Sequence, residues 1–334
     1  MTPAIRVEGL TRVFPGRGGG GDVLALSDAT FEVAQGETLG LVGESGCGKS
    51  TLARLLVRLD EPTSGTIEIQ GTDVTSLSDR AFRPHRREIQ MVFQDPFGSL
   101  NPRHTVGRTI REVLDVHNLV DNRRERDERV KELLAMVGLG PGFARRLPRQ
   151  LSGGQMQRVG IARALAVEPS ILVLDESVSA LDVSVQAEVM NLLVQMREDL
   201  NLTYVFISHD LGMVRHISDR VAVMYLGRVV ELGPWKEVSD APQHPYAEAL
   251  QHAVPVADPG LEAGEIEAPI EGEVPNPADP PSGCAFHPRC DLKEDVCSER
   301  RPELSPTTAG HFVSCHIVER EFVRKLGAAD QPNP

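Results

Sequence analysis

Long apolar runs are absent from this sequence. No uncharged apolar stretch approaches the length needed to cross a bilayer, and the segment Met1–Arg6 lacks the apolar core of a secretory signal. We therefore expect a cytosolic protein, or one that is attached to a membrane through a partner. With 334 residues and a hydrophobic content of 40%, the chain is long enough for one large domain and a smaller one.

Basic residues are outnumbered by acidic ones. The chain has 35 Lys and Arg residues against 48 Asp and Glu residues, which gives a formal net charge of −13. Proteins that bind nucleic acid mainly through its phosphates usually present a strongly basic face. The charge balance therefore disfavours nucleic acid as a partner.

Cysteine is scarce and unevenly distributed. Four of the five cysteines lie in the last fifth of the chain, namely Cys284, Cys290, Cys297 and Cys315. In a cytosolic protein such a cluster suggests bound metal before it suggests disulfides.

The segment 43–51 is the strongest motif. It follows the apolar run 39–42 and matches the pattern G-x-x-x-x-G-K-[ST] of a phosphate-binding loop. Glycines let successive N–H groups point inward, and the helix that follows directs its positive end to the same spot. We expect Lys49 to reach the β- and γ-phosphates, Ser50 to coordinate Mg²⁺ and Thr51 to begin the helix. The predicted nucleotide contacts here are Gly43, Glu44, Ser45, Gly46, Cys47, Gly48, Lys49, Ser50 and Thr51.

The helix after this loop is predicted from periodicity. Leu52, Leu55, Leu56 and Leu59 recur at the spacing of one helix face. We therefore expect an amphipathic helix behind the loop.

Four apolar runs of strand length each end in a polar group. The first leads into the phosphate loop, and the other three end at Gln94, at Asp175-Glu176 and at His209. In a mostly parallel sheet these ends line one crevice, where ligands of open α/β folds bind. The sequence therefore predicts that these side chains converge on the phosphate loop.

A second glycine-containing motif precedes another predicted helix. The segment 151–155 reads L-S-G-G-Q, with Ser152 suited to cap a helix that runs to about residue 166. Its N–H groups again offer a site for an anion. The anion-binding candidates are Ser152, Gly153, Gly154 and Gln155.

Together these motifs occur in the order and spacing of the ATP-binding cassette (ABC) ATPases, and the resemblance covers about residues 4–233. It implies an α/β fold, with a RecA-like P-loop core, an antiparallel β subdomain and an α-helical signature subdomain at about 95–165. It divides the chain into a nucleotide-binding domain, 1–233, and a C-terminal extension, 234–334, which contains the four cysteines and which we expect to be irregular. It also implies a head-to-tail dimer in which each ATP lies between the phosphate loop of one subunit and the LSGGQ segment of the other.

Residue roles combine phosphoryl-transfer chemistry with this resemblance. That chemistry needs charge neutralisation and a group that orients water, so Asp175 would hold Mg²⁺ and Glu176 would polarise the attacking water. By family analogy His209 contacts the γ-phosphate, and Gln94 reaches the metal and the water. The analogy further assigns subunit contact to Asp182 and base stacking to Phe14.

A closer resemblance concerns segments 94–103, 179–186 and 244–246. They look like the ATPases of dipeptide, oligopeptide and nickel importers, which implies two transmembrane permease subunits and, indirectly, an extracytoplasmic solute-binding protein. A related, non-identical second cassette is the expected partner, at the cytoplasmic face of the membrane. The alternatives are a cassette ATPase of DNA repair or ribosomes, an accessory ATPase of a phosphonate-degrading complex, and an importer of nickel or another solute.

The C-terminal extension has a different composition. Between Glu237 and Pro288 there is no Lys or Arg, so we expect an irregular connector on the surface. The cysteines that follow have the spacing C-x5-C-x6-C-x17-C and resemble the extension of the same importers, some of which hold a [4Fe-4S] cluster. Four thiolates fit that cluster and equally fit zinc, and free or disulfide-bonded thiols remain a third reading. We expect His287, His311 and His316 to be surface or packing residues.

Overall fold

The computed structural model describes residues 2–16, 21–179, 181–252, 272–308 and 310–329. The sequence predicts a flexible connection between two strands at the glycine run 18–21, and most of this run lies outside the described residues. Residues 253–271, a large part of the predicted connector, also lie outside them.

The main sheet has eight strands among the described residues, in the spatial order β11-β12-β10-β9-β3-β8-β7-β6. The strands from β6 to β9 in this order run parallel, and the remaining pairs are antiparallel. Strands β3, β7 and β8 are buried along their whole length, as expected for parallel strands that are covered on both faces. The bounds are β3 Thr38–Val42, β6 Ile89–Val92, β7 Ile171–Asp175, β8 Thr203–Ile207, β9 Arg220–Tyr225, β10 Arg228–Pro234, β11 Ser305–Thr308 and β12 His311–Val313.

A smaller antiparallel sheet contains the N-terminal strands, in the order β2-β1-β4-β5. It confirms the antiparallel layer that the sequence predicted. Side chains of both sheets share one apolar core with helix α1 (Lys49–Leu56), and this core includes Ile5, Leu39, Leu52 and Ile171. The bounds are β1 Ile5–Phe14, β2 Val23–Val33, β4 Ser64–Ile69 and β5 Thr72–Asp73.

Helices cover the main sheet. Those that lie between β6 and β7 in the sequence form a separate cluster. In that cluster α4, α5 and α6 pack on one another, and α3 packs on α6. The bounds are α1 Lys49–Leu56, α2 Asp79–Phe82, α3 Pro96–Ser99, α4 Val106–Val116, α5 Arg123–Met136, α6 Gly153–Leu165, α7 Val183–Leu200, α8 Leu211–Ile217, α9 Trp235–Asp240, α10 Pro245–His252, α11 Asp295–Glu299 and α12 His316–Ala329. Short 3₁₀ turns span His85–Arg87, Pro141–Arg145, Pro148–Gln150 and His287–Arg289. Across the described ranges, none of these helices combines the length and apolar character needed to cross a bilayer.

Helix α1 follows the predicted periodicity over three of its four leucines. Leu52, Leu55 and Leu56 are fully buried, whereas Leu59 is 59% exposed. The helix ends at Leu56, and Arg58 has a positive φ of 55°, so the chain leaves the helical path before Leu59. The prediction for Leu59 is therefore wrong.

The C-terminal extension contributes two strands to the main sheet. β12 pairs with β10 in register Glu231↔Val313, and β11 continues the sheet beyond it. The pairing is reinforced by the fully buried Glu231 carboxylate, which lies 2.8 Å from the buried His311 Nε2. The sequence prediction of an irregular extension missed both strands, because strands of four and three residues are too short to show a periodic pattern.

Candidate functional site

The phosphate loop joins β3 to α1 and is shaped by close backbone contacts. Gly48 has a φ of 106°, and a Cβ atom there would lie 2.4 Å from the carbonyl oxygen of Ala25. Gly46 also has a positive φ, of 80°, and a Cβ there would point into open space. The positive φ therefore favours glycine at both positions, and both glycines line the pocket in front of the loop.

Lys49 is the first residue of α1 and is only 4% exposed. Its ammonium group donates hydrogen bonds to the carbonyl oxygens of Gly43, at 2.7 Å, and Glu44, at 3.0 Å. These two bonds hold the charge at the edge of the loop, where it can meet the outer phosphates of a nucleotide.

Ser50 and Asp175 provide adjacent oxygen atoms. The Ser50 hydroxyl donates to Asp175 Oδ1 at 3.0 Å, and burial raises the pKa of Asp175, with further raising by the nearby Glu176 carboxylate. A hard cation favours such oxygen ligands and would stabilise the ionised form of this carboxyl. The donor set therefore fits Mg²⁺.

Glu176 follows β7 and contacts both neighbouring strand ends. Gln94 Nε2 donates to Glu176 Oε2 at 2.6 Å, and His209 Nδ1 lies 3.7 Å from Glu176 Oε1. The structure thus confirms that the ends of β6, β7 and β8 bring these three side chains together beside the phosphate loop.

The backbone of Glu176 is in an unfavourable conformation. Its φ is +43°, a left-handed value that a residue with a side chain rarely adopts. Two hydrogen bonds support this conformation. The Glu176 N–H donates to the Ile207 carbonyl oxygen at 3.0 Å, and the Glu176 carbonyl oxygen accepts from the Ser179 hydroxyl at 2.9 Å. Such strain persists only where surrounding contacts enforce it, and it is concentrated at functional sites.

One pocket collects most of the predicted loop residues. It is lined by Val23, Ala25, Ser45, Gly46, Gly48, Lys49, Ser50, Thr51, Gln94, Glu176 and Pro277. Phe14 is outside this lining, but its strand partner Val23 belongs to it. The Arg12 guanidinium lies 4.4 Å from the centre of the Phe14 ring, so one face of that ring is covered.

The LSGGQ segment begins α6, as predicted, but does not line this pocket. Ser152 and Gln155 form a reciprocal cap, with the Ser152 Oγ accepting from Gln155 N at 3.3 Å and the Gln155 Oε1 accepting from Ser152 N at 3.2 Å. Gly153 and Gly154 approach Leu181 and Val185 at the start of α7, where Asp182 is exposed. The second anion-binding candidate is therefore separate from the pocket of its own chain.

The four C-terminal cysteines line one small cavity with Phe286, and all four are free thiols. Burial raises the pKa of Cys290 and Cys315, and raises that of Cys284 to about 11. Within the described ranges, no group of three or more His, Cys, Asp or Glu side chains meets the requirements for holding a metal ion.

Three residues of the extension reach the loop without having been predicted to do so. Pro277 lines the pocket, Tyr246 OH accepts a hydrogen bond from Glu44 N at 2.9 Å, and Arg289 pairs with the Glu44 carboxylate. Tyr246 and Arg289 lie 202 and 245 positions from Glu44 in sequence, and Pro277 lies between them, so no local pattern could reveal these contacts.

Known proteins similar to this chain are ATP-binding proteins, in agreement with the phosphate loop described above. The profile of the ABC transporter family matches residues 26–179, and the profile of the oligopeptide/dipeptide transporter C-terminal region matches residues 230–297. Among solved structures, a dimeric post-hydrolysis state of the ATP-binding cassette MJ0796, bound to ADP and Pi, is similar with a TM-score of 0.63 and 31% identity, covering 69% of this chain and 98% of that one.

Relatives of similar length extend the match to nearly the whole chain. The oligopeptide transport ATP-binding protein AppF of Bacillus subtilis is 52% identical over 298 residues, which cover 89% of this chain and 90% of AppF. The oligopeptide transport ATP-binding protein OppF of Escherichia coli is 49% identical over 295 residues, which cover 88% of each chain. The chain therefore belongs to the ABC transporter family, as an ATPase subunit of its oligopeptide and dipeptide branch.

Proposed function

We propose that this chain hydrolyses ATP to drive the import of di- or oligopeptides through a membrane ABC transporter. The observation that carries the proposal is the meeting of Lys49, the Ser50–Asp175 pair and the Gln94–Glu176 pair around one phosphate loop. The peptide cargo is supported by the relatives named for oligopeptide transport and by the matching C-terminal region.

The proposed chemistry assigns a separate task to each side chain. Lys49 neutralises charge on the β- and γ-phosphates, and Glu176 orients the attacking water and accepts its proton. Gln94, hydrogen-bonded to Glu176 at 2.6 Å, holds that carboxylate and the water in line with the γ-phosphate, which His209 contacts. Ser50, Asp175 and Gln94 would hold Mg²⁺, which when bound would supply positive charge to neutralise the phosphates.

The remaining predicted residues act across a dimer of cassettes in this proposal. Ser152, Gly153, Gly154 and Gln155 of one cassette bind the ATP held by the loop of the other, and Asp182 joins the two subunits. The exposure of Asp182 and the separation of the LSGGQ segment from its own pocket support this arrangement. Phe14 stacks on the adenine base, close to Val23.

The other partners are two permease subunits, a related second cassette and, indirectly, a solute-binding protein. This assembly would hold the chain at the cytoplasmic face of the membrane. Within the chain we propose a nucleotide-binding domain at 1–233, with a helical subdomain at about 95–165, and an extension at 234–334. The cluster formed by α3 to α6 supports the helical subdomain.

Purification from membranes tests the transport assignment. Tagged chain, extracted in mild detergent, is expected to bring down two membrane permeases and a second cassette, and ATP turnover of that complex is expected to rise when peptide-loaded binding protein is added. Recovery in a soluble assembly alone, or turnover stimulated by nucleic acid instead, would contradict the proposal.

For the cysteine cavity we propose a [4Fe-4S] cluster held by Cys284, Cys290, Cys297 and Cys315. The four free thiols that line one cavity match the number and type of ligands that this cluster requires. Zinc bound by the same four thiolates is the alternative. The thiols would lose their protons on binding, because thiolates are the ligands. Because all four cysteines lie in the extension, the proposed role of the cluster is structural: it would link separate segments of the extension to one another.

Anaerobically purified protein is expected to show visible iron–sulfur absorption and to contain about four iron and four sulfide ions per chain. Cys290→Ser should reduce both contents, because it removes one of the four ligands. Cys47→Ser is the matched control, since Cys47 lies in the phosphate loop and its replacement should leave iron and sulfide unchanged. Zinc in full occupancy, without iron, would contradict the cluster.

A further inference from the structure

The C-terminal extension makes an ion pair with the phosphate loop. Both terminal nitrogens of Arg289 donate to the Glu44 carboxylate, Nη1 to Oε2 at 2.8 Å and Nη2 to Oε1 at 3.1 Å. The Arg289 side chain is 5% exposed, and the Glu44 side chain is 25% exposed. A two-point contact of this kind fixes the orientation of the carboxylate as well as its distance.

Glu44 is held at its backbone as well as at its side chain. Its N–H donates to Tyr246 OH at 2.9 Å, and its carbonyl oxygen accepts from Lys49 Nζ at 3.0 Å. A displacement of Glu44 would therefore move one of the two carbonyl groups that position the Lys49 ammonium.

The groups that hold Glu44 are themselves anchored in a packed aromatic cluster. The ring of Tyr246 lies 4.7 Å from that of Tyr225 and 5.4 Å from that of Phe286, and Tyr225 and Phe286 are 5.2 Å apart. Tyr225 ends β9, whereas Tyr246 and Phe286 belong to the extension. Arg289 Nη1 also donates to Tyr225 OH at 3.4 Å. The loop is thus tied to side chains that are packed together and almost fully buried.

We propose that Arg289 is a positioning residue for the phosphate-binding loop, which it holds through Glu44 so that Lys49 and the loop N–H groups are arranged for the phosphates before nucleotide binds. This proposal deepens the proposed function and rests on it. A loop that contains three glycines among residues 43–48 has several accessible conformations, and the ion pair removes part of that freedom in advance. The extension thereby contributes to nucleotide affinity without touching the nucleotide through this pair.

The test compares Arg289→Gln, Arg289→Lys and Glu44→Gln in the full-length chain. The readouts are the dissociation constant of Mg-ATP, the KM for ATP and kcat. We expect Arg289→Gln to raise the dissociation constant and KM about tenfold, the size of one lost charge-assisted pair, with little change in kcat because Glu176 is untouched. Arg289→Lys keeps the charge but cannot make the two-point contact, so it should show most of this loss.

The double variant Glu44→Gln with Arg289→Gln separates this role from two independent defects. The effects of two substitutions in one interacting pair are not additive. The dissociation constant of the double variant should therefore be no larger than the larger of the two single-variant values. Glu44→Gln leaves a buried guanidinium without its carboxylate, so thermal melting is measured for every variant. Arg289→Lys retains a buried cation beside Glu44, so it is the variant that tests the proposal if the other variants do not fold.

A matched control pair lies in the same extension. Arg320 contacts Glu294 through two bonds of 2.7 Å, and both side chains are exposed. Arg320→Gln should leave the dissociation constant unchanged. If wild-type protein binds Mg-ATP and folded Arg289→Gln and Arg289→Lys bind it equally well, the positioning role is overturned. If the wild-type protein does not bind Mg-ATP, it is the proposed function that fails.

Discussion

Glu176→Gln is expected to bind Mg-ATP normally and to hydrolyse it roughly 10²- to 10⁴-fold more slowly than the wild type, the range that a positioned general base contributes. The amide has the shape of the carboxylate and its oxygen can still accept the hydrogen bond from Gln94, so the site should keep its geometry. It cannot accept the proton of the attacking water. Binding and closure should therefore proceed, and the variant should accumulate as a closed dimer with two trapped nucleotides.

Single-turnover hydrolysis of radiolabelled ATP and size-exclusion chromatography measure these two effects together. The matched control is Glu168→Gln, because Glu168 is a 75% exposed carboxylate that pairs with Arg129 on the surface. It should retain wild-type turnover and remain in the wild-type distribution of monomer and dimer. Wild-type turnover in Glu176→Gln would instead show that another group orients the water.

Lys49→Ala is expected to lower ATP turnover by roughly 10²- to 10³-fold, the loss measured when one fixed donor to developing charge is removed. Two physical effects combine here. The phosphates lose a cation, and the carbonyls of Gly43 and Glu44 lose the ammonium group that bonds both of them. Nucleotide affinity should fall as well, because the ammonium meets the ground-state phosphates before any chemistry occurs.

Equilibrium binding of a fluorescent ATP analogue, followed by steady-state turnover, measures both losses. Lys131→Ala is the control, since Lys131 is exposed on α5 and pairs with Glu128 at 2.7 Å. Thermal melting of both variants shows whether the folded state is retained. Unchanged binding and turnover in folded Lys49→Ala would remove Lys49 from the phosphate site.

Two parts of the site, the phosphate loop and the N-cap of α6, were predicted from short-range patterns. A glycine-rich loop between a strand and a helix needs only neighbouring residues to be recognised, and so does Ser152 as the N-cap of α6. The convergence of Gln94, Glu176 and His209 followed from a topological rule, because the carboxyl ends of adjacent parallel strands lie along one edge.

The contacts between the extension and the loop were not predictable in this way. Arg289 and Glu44 are 245 positions apart, and neither belongs to a pattern that specifies the other. Strands β11 and β12 were missed for a related reason, since they are defined by pairing with β10 and not by their own composition. The positive φ of Glu176 likewise reflects the bonds that surround it.

By itself, the sequence determined the loop, the order of the strands' polar ends and the presence of four clustered cysteines, because each is encoded by residue type and by position along the chain. The tertiary structure alone decided how the extension is used. Packing carried Pro277, Tyr246 and Arg289 to the phosphate loop and gathered the cysteines around one cavity. Long-range contacts of this kind arise from the burial of apolar faces and the pairing of buried charges, and both depend on which surfaces meet when the whole chain folds.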